Sequence, residues 1–275
     1  MKKISFLVLA LLLFVSSLAG AQTGNKRWGL IIGIGKYPEA AGVENFNYVE
    51  NDINGMETLF REKFSVPVEN IIVLKDEQVT KDGVKKAIAD MSGKISENDY
   101  VFIYIRARGV DTFPDFNNDE KSGYDTCIIP YDCQWKYPKT YISDDSLSLW
   151  LKDIKGKIIA FCDVNGGVDL IDLHSNKELQ GRTLILGPSP GTEADEDSSQ
   201  RGLMTNFLIE KTNELYEDYL DEIRSNSDEA QNLTISIIID EVKKKMNGFL
   251  EDRGRMGELS SDGKLDGKSI IILSK

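Results

Sequence analysis

Residues 100–106 read Tyr100-Val101-Phe102-Ile103-Tyr104-Ile105-Arg106, an unbroken apolar and aromatic run that ends on a charge. A half-exposed strand alternates apolar with polar residues. A short continuous run predicts a strand covered on both faces. Similar runs lie on either side of it: Leu30 to Ile34 and Ile71 to Leu74 before, Ile158 to Cys162, Leu184 to Leu186 and Ile270 to Leu273 after. Between the runs, apolar residues recur at helical spacing. Ile53, Met56, Phe60 and Phe64 form one stripe, and Val84, Ala87, Ile88, Met91 and Ile95 a second. Ile235, Ile238, Ile239, Val242, Met246 and Phe249 form a third, with Thr234 as its N-cap. Ser143, followed by Asp144 and Asp145, reads as the N-cap of a helix through Leu147, Trp150, Leu151 and Ile154. This alternation predicts an α/β fold with a mostly parallel, doubly wound sheet. Sites in such sheets form at the carboxyl ends of strands, which points to the residues just after Ile105 and Cys162. The polar or Gly-rich stretches Asp111 to Gly123, Val164 to Gly181, Pro188 to Arg201 and everything after Arg253 up to Gly267 read as loops.

Composition narrows the chemistry. The 275 residues carry 33 Lys and Arg against 45 Asp and Glu, a net charge of -12. That balance argues against nucleic acid as a partner, because phosphate binding needs a basic face. One histidine, His174, excludes sites built on two or three imidazoles, and three cysteines exclude a four-Cys zinc site. At the N-terminus, Lys2 and Lys3 precede an apolar stretch from Ile4 to Val15, and Ala19-Gly20-Ala21 supplies small residues for cleavage. This is the pattern of a secretory signal peptide over residues 1–21. The expectation is an exported chain, periplasmic or extracellular, with one domain over residues 22–275 and no membrane association after cleavage. In an oxidising compartment Cys127 and Cys133 could pair, or could be buried small hydrophobes.

Other motifs read blandly. Gly33-Ile34-Gly35-Lys36 lacks the second half of either phosphate-binding fingerprint. Asp115, Asn117 and Asp119 have the spacing of a calcium loop, but Glu120 replaces its Gly and Thr126 its terminal Glu. A weak calcium site is the most this allows, and no resident cofactor or metal is expected. Glu193, Asp195, Glu196 and Asp197 read as a solvated acidic run. Cys162 and His174 are a Cys-His pair by proximity in sequence, although Cys162 sits inside an apolar run where thiols are usually inert.

Several segments together resemble the caspase-like cysteine peptidases, including bacterial metacaspase-type domains. Gly29 to Ile34 with Tyr37-Pro38 is similar to the family's first strand and turn, and Asn45 to Leu59, with Asn51-Asp52 before the helix, to its first helix. Val73 to Asp76 with Thr80, Tyr124-Asp125, Ile128 to Asp132, Ile142 to Leu147 and Gly202 to Leu208 continue the likeness in order. The resemblance implies a caspase-like three-layer fold: a mostly parallel six-stranded sheet with helices on both faces. It also implies where catalysis should lie. Where the family carries Ser-Gly-His-Gly, this chain reads Arg106-Ala107-Arg108-Gly109, so Arg108 stands at the position of the general base. Where the family carries Asp-Ser-Cys-His-Ser-Gly, it reads Asp163-Val164-Asn165-Gly166-Gly167, so Asn165 stands at the position of the nucleophile. Positions 108 and 165 lie 57 residues apart, close to the roughly 50 expected of such a pair. A guanidinium accepts no proton near neutral pH, and an amide is no substitute for a thiolate. The resemblance further implies that Asp163, with Asp125 as a second carboxylate, would line a pocket for basic side chains. Three expectations follow: a catalytically inactive domain that binds a protein or peptide with basic side chains, a peptidase with relocated groups such as Cys162 and His174, or a structural domain. A salt bridge from Arg108 to Asp163 would close the pocket instead.

Overall fold

The computed structural model describes residues 25–115, 123–134, 137–189, 199–225 and 231–273. The expected signal peptide, Asn117 and Asp119 of the calcium-loop spacing, and the acidic run at 193–197 lie outside these residues.

Strand geometry divides the apolar runs between two cores. Successive side chains of a strand point to opposite faces. Leu30 and Ile32 of β1 (Arg27–Gly33), Ile103 and Ile105 of β3 (Tyr100–Arg106), and Ile158, Ala160 and Cys162 of β7 (Lys157–Asp163) enter one cluster. Their neighbours Ile31, Phe102, Tyr104, Ile159 and Phe161 enter the other. A residue of either parity is therefore buried, which explains why these runs show no alternation.

Three layers result. On the first face, α2 (Lys81–Ser92) packs Val84, Ala87, Ile88 and Met91, and α3 (Asp144–Leu151) packs Leu147 and Leu151. On the second face lie α1 (Val49–Glu62), α5 (Leu203–Arg224) and α6 (Ile235–Asp252), with Ile53, Met56 and Phe60, then Leu203 and Leu208, then Ile238, Ile239 and Val242 pointing inward. The expected caps are present. Ser143 Oγ accepts from Ser146 N at 3.2 Å, and Thr234 Oγ1 from Ile237 N at 3.5 Å. A four-residue helix, α4 (Lys177–Gln180), precedes β8 (Thr183–Pro188).

The six-stranded sheet runs β10-β8-β7-β3-β1-β2, where β2 is Ile71–Lys75 and β10 is Leu259–Gly263. All its pairs are parallel except β8 with β10. Two expectations need correction here. The sixth strand is β10, inside the stretch after Arg253 that reads as loop. Its sequence is Leu-Ser-Ser-Asp-Gly, only Leu259 is buried, and it lies at the sheet edge, so it needs no apolar run. The run at Ile270 to Leu273 forms β11 (Ile271–Leu273), which pairs with β9 (Leu233–Thr234) outside the main sheet. Likewise the stretch Asp111 to Gly123, expected as loop, is partly strand. β4 (Gly109–Pro114) enters it and pairs antiparallel with β5 (Tyr124–Ile128), which in turn pairs with β6 (Ile142–Ser143). No helix among the described residues is long and apolar enough to cross a membrane.

Candidate functional site

The two central strands β3 and β7 are in register at their carboxyl ends, where Arg106 pairs with Asp163. Both side chains are fully buried. Arg106 Nη1 donates to Asp163 Oδ1 at 3.2 Å, and Arg106 Nε lies 3.6 Å from Asp52 Oδ2 on α1. The other Asp163 oxygen, Oδ2, accepts from Thr205 N at 3.2 Å and Thr205 Oγ1 at 2.5 Å. Gly202 N donates to both oxygens of Asp52, at 3.1 and 3.2 Å. Tyr104 Oη is 2.6 Å from Thr205 Oγ1, and the Arg106 guanidinium lies 4.0 Å from the centre of the Phe46 ring. The Arg106 guanidinium thus sits between two buried carboxylates, and Arg201 adds a weaker attraction at Asp52. Burial, and then the neighbouring charge of Asp163, push the Asp52 carboxyl up to about 7 against the opposing pull of Arg106.

The pairing of Arg108 with Asp163 does not form; Arg106 takes that place. The reason is position. Arg106 is the last residue of β3 and faces the interior, whereas Arg108 lies beyond the strand end and turns to the loop before α1. Arg108 Nε donates to Glu44 O at 2.9 Å and Nη2 to Asn45 O at 3.2 Å. Its guanidinium lies 3.7 Å from the Phe46 ring centre, and its backbone N donates to Tyr37 Oη at 2.8 Å. Arg108 fastens residues 44–46 to the strand end.

Asn165 lies two residues past Asp163, as Arg108 lies two past Arg106, so both positions follow the carboxyl ends of adjacent central strands. Asn165 is half-buried, and its Oδ1 is buried without a hydrogen-bond partner among the described residues. The turn around it is tight. A Cβ on Gly109 would lie 2.4 Å from Val164 Cγ1 and 3.1 Å from Asn165 O, and one on Gly167 would lie 2.1 Å from Cys162 O.

The relocated pair is not assembled. Cys162 is fully buried in the first core, and burial pushes its thiol up to about 12. His174 is exposed, and its backbone N donates to Asp172 Oδ1 at 2.8 Å. Cys127 and Cys133 are also buried, free thiols with raised pKa, chiefly through burial, and no disulfide joins them.

Asp125 is buried, but its neighbours are Asp144 and Asp145, with carboxylate oxygens all within 4.8 Å of one another. The carboxylate beside Asp163 is Asp52 instead. Among the described residues, Asp125, Asp144 and Asp145 are the group that could hold a divalent cation. Burial raises the Asp144 carboxyl to about 7, with Asp125 and Asp145 adding to it and backbone donors Thr126 N and Asp145 N opposing it. Sequence reading missed both roles. Asp52 did carry a signal: it falls on the same helical stripe as Val49, Ile53 and Met56, a charge on a face that should be apolar.

Asp52 and Asp144 hold their protons more tightly in the folded chain than in the unfolded one. Between the ordinary value of 3.8 and about 7, the folded state therefore binds more protons, and stability falls as pH rises. Urea unfolding should give a lower midpoint at pH 8 than at pH 5, with a shallower fall in Asp144→Asn. Equal slopes in the two chains would contradict the assignment to Asp144.

The family model for the caspase domain matches residues 26–261. This chain belongs to the caspase-domain family. Among curated relatives, Metacaspase-1B of Aspergillus oryzae is 27% identical over 186 residues, covering 64% of this chain and 42% of its own length. Metacaspase-1A of the same organism is 31% identical over 118 residues, covering 41% and 27% respectively. The chain thus spans less than half the length of either relative. A crystal structure of a Geobacter sulfurreducens protein shares the fold of this caspase domain, with a TM-score of 0.56 at 16% identity over 91% of this chain and 97% of that one. In this caspase domain Arg108 and Asn165 follow the carboxyl ends of the adjacent central strands β3 and β7.

Proposed function

We propose that this caspase domain is catalytically inactive, is exported, and acts by binding a protein or peptide. The observation that carries the reading is the paired strand ends themselves. Positions 108 and 165 each follow by two residues, and the side chains there are a guanidinium and an amide. Neither can replace an imidazole base or a thiolate nucleophile. The chain's other candidates do not compensate: Cys162 is a buried, protonated thiol and His174 is exposed and elsewhere. Retention of a complete two-core scaffold around a degenerate edge supports binding over chemistry. The net charge of -12 favours a basic partner through long-range attraction, which salt screens. Export rests on the pattern of residues 1–21.

The test uses peptidyl acyloxymethyl ketones ending in Arg, Lys or Asp, which alkylate competent cysteine nucleophiles. Intact-mass spectrometry should show no adduct on the folded chain. An adduct on Cys162 that Cys162→Ala abolishes would overturn the inactive assignment. Fluorescence anisotropy should show saturable, salt-sensitive binding of some Lys- and Arg-rich peptides. Absence of binding across such a set would overturn the basic-partner assignment.

A further inference from the structure

The six-stranded sheet has two edges, and they differ in kind. The β10 edge is guarded: its sequence is Leu-Ser-Ser-Asp-Gly, and Gly263 has φ 118. Polar residues and twisted backbone keep an edge from pairing with another chain. The β2 edge carries neither device. Ile71-Ile72-Val73-Leu74-Lys75 holds a continuous register on β1, without proline, and all five residues are half-buried. Ile72 and Leu74 pack on the first core, Ile71 and Val73 on the second. Among the described residues, β1 is the one strand paired with β2.

Backbone direction shows which groups of β2 face outward. Tyr100 N donates to Lys26 O and Ile34 N to Arg106 O, both at 2.9 Å, so even-numbered positions along β1 turn to β3 and odd-numbered ones to β2. Asn70 Nδ2 reaches Arg27 O at 3.1 Å on that second side. In a parallel ladder the bonds are slanted, so a residue bonds the neighbours of its register partner. Gly29 and Ile31 stand opposite Ile71 and Val73, so β1 takes up the backbone groups of Ile72 and Leu74. Those of Ile71, Val73 and Lys75 face away from the sheet. Ile71 N donates to Val68 O, and Lys75 N to Gln78 Oε1 at 3.1 Å. Val73 presents both its N–H and its C=O outward, and Ile71 its C=O.

We propose that β2 pairs antiparallel with β2 of a second copy of this chain, about a two-fold axis through Ile72, joining two sheets edge to edge. Residues directly opposite in an antiparallel pair either both exchange ladder bonds or both turn away. The axis must therefore pass through a residue and not between two. Through Ile72, it sets Val73 against Ile71 of the second copy, and Val73 N–H meets that Ile71 carbonyl twice over by symmetry. The same axis sets Glu69 against Lys75. Glu69 is exposed, and Lys75 keeps 39% of its side chain exposed beside Glu50. An axis through Val73 would set Glu69 against Glu77, and one through Ile71 would set Pro67 against Lys75. Opposite charges across strands attract and like charges repel, so charge and hydrogen bonding select the same register. An interface of this symmetry closes at two copies. A ladder this short buries little area, so the association is weak and concentration-dependent. The pairing uses neither Arg108 nor Asn165, so it stands or falls separately from the inactive assignment.

Sedimentation velocity of the purified chain, from micromolar to near-millimolar concentration, tests this. The parent should show a reversible monomer–dimer equilibrium. Glu69→Lys and Lys75→Glu set like charges against each other twice per dimer, and each should weaken the dimer about tenfold. Mixed in equal amounts, the two variants restore opposite charges across the axis and should form a dimer of parental affinity. Val73→Pro removes an N–H that β1 does not use and should leave a folded monomer. A parent that stays monomeric throughout would overturn the proposal. So would charge variants that dimerise as tightly as the parent, a mixture no tighter than either variant alone, or a dimer of parental affinity in folded Val73→Pro. Should Val73→Pro not fold, the charge variants, which alter side chains at the surface, decide the question alone.

Discussion

Arg106→Met lowers the unfolding free energy by about 3–5 kcal/mol at pH 8, the loss typical of removing one partner from a buried ionic set. The substitution keeps most of the side-chain volume, so the loss reports charge and not a cavity. Asp52 and Asp163, both fully buried, would be left facing each other with only the weaker attraction of Arg201 at Asp52. Protonation relieves the remaining repulsion. Asp52, already raised to about 7 with Arg106 present, rises further once that attraction is gone. The variant is therefore closest to its parent at pH 5 and furthest from it at pH 8. Adding Asp52→Asn and Asp163→Asn removes both stranded charges and should recover part of the loss, since a neutral set has no charge to desolvate. Urea unfolding of the single and triple variants at the two pH values measures this. A loss independent of pH would show that the guanidinium acts through packing alone.

Gly202→Ala is expected to cost about 2–4 kcal/mol, near or above the upper end for overpacking a closed site. Backbone strain plays no part, because Gly202 has φ -58 and ψ 143, which alanine adopts freely. The cost is steric. The new methyl would meet Asp163 Oδ2 at 2.4 Å, an oxygen held by two donors from Thr205. Relief requires moving either the ion pair or the start of α5, and the amide that Gly202 donates to Asp52 would move with it. Gly93→Ala is the matched control. It has φ -65 and no atom within 4 Å of the added Cβ, so alanine should gain about 0.4–1 kcal/mol by restricting the unfolded chain. Opposite signs at the two glycines are the predicted result of parallel denaturant titrations. Similar small effects at both would mean that the segment over Asp163 yields easily.

The legible parts of this fold are those where burial writes a pattern. Strands β1, β3 and β7 are covered on both faces, so each shows an unbroken apolar run, and α2 and α6 bury a single stripe. β10 escaped because an edge strand with one buried side chain leaves no periodicity. β4 escaped because it is short, polar and irregular in register between Val110 and Phe113. At the strand ends, Arg108 and Asn165 are assigned by spacing and resemblance, which depend only on order along the chain. The partner of Asp163 was not found that way. A charge that ends a strand usually reads as solvated, and only the register of β3 against β7 shows that Arg106 turns inward. Asp125 and Asp163 are both acids near the strand ends, yet Asp125 joins Asp144 and Asp145 while Asp52, more than a hundred residues before Asp163, supplies the second carboxylate. That kind of long-range convergence has no signature in local sequence.

The central claim is that this caspase domain lacks peptidase chemistry. Its most direct test is turnover of fluorogenic peptides ending in Arg, Lys or Asp by the purified chain, with and without calcium, beside Asn165→Ala and Cys162→Ala as references. The account predicts that all three chains release fluorophore at the rate of buffer alone. Turnover by the parent chain that is lost in either variant would contradict it.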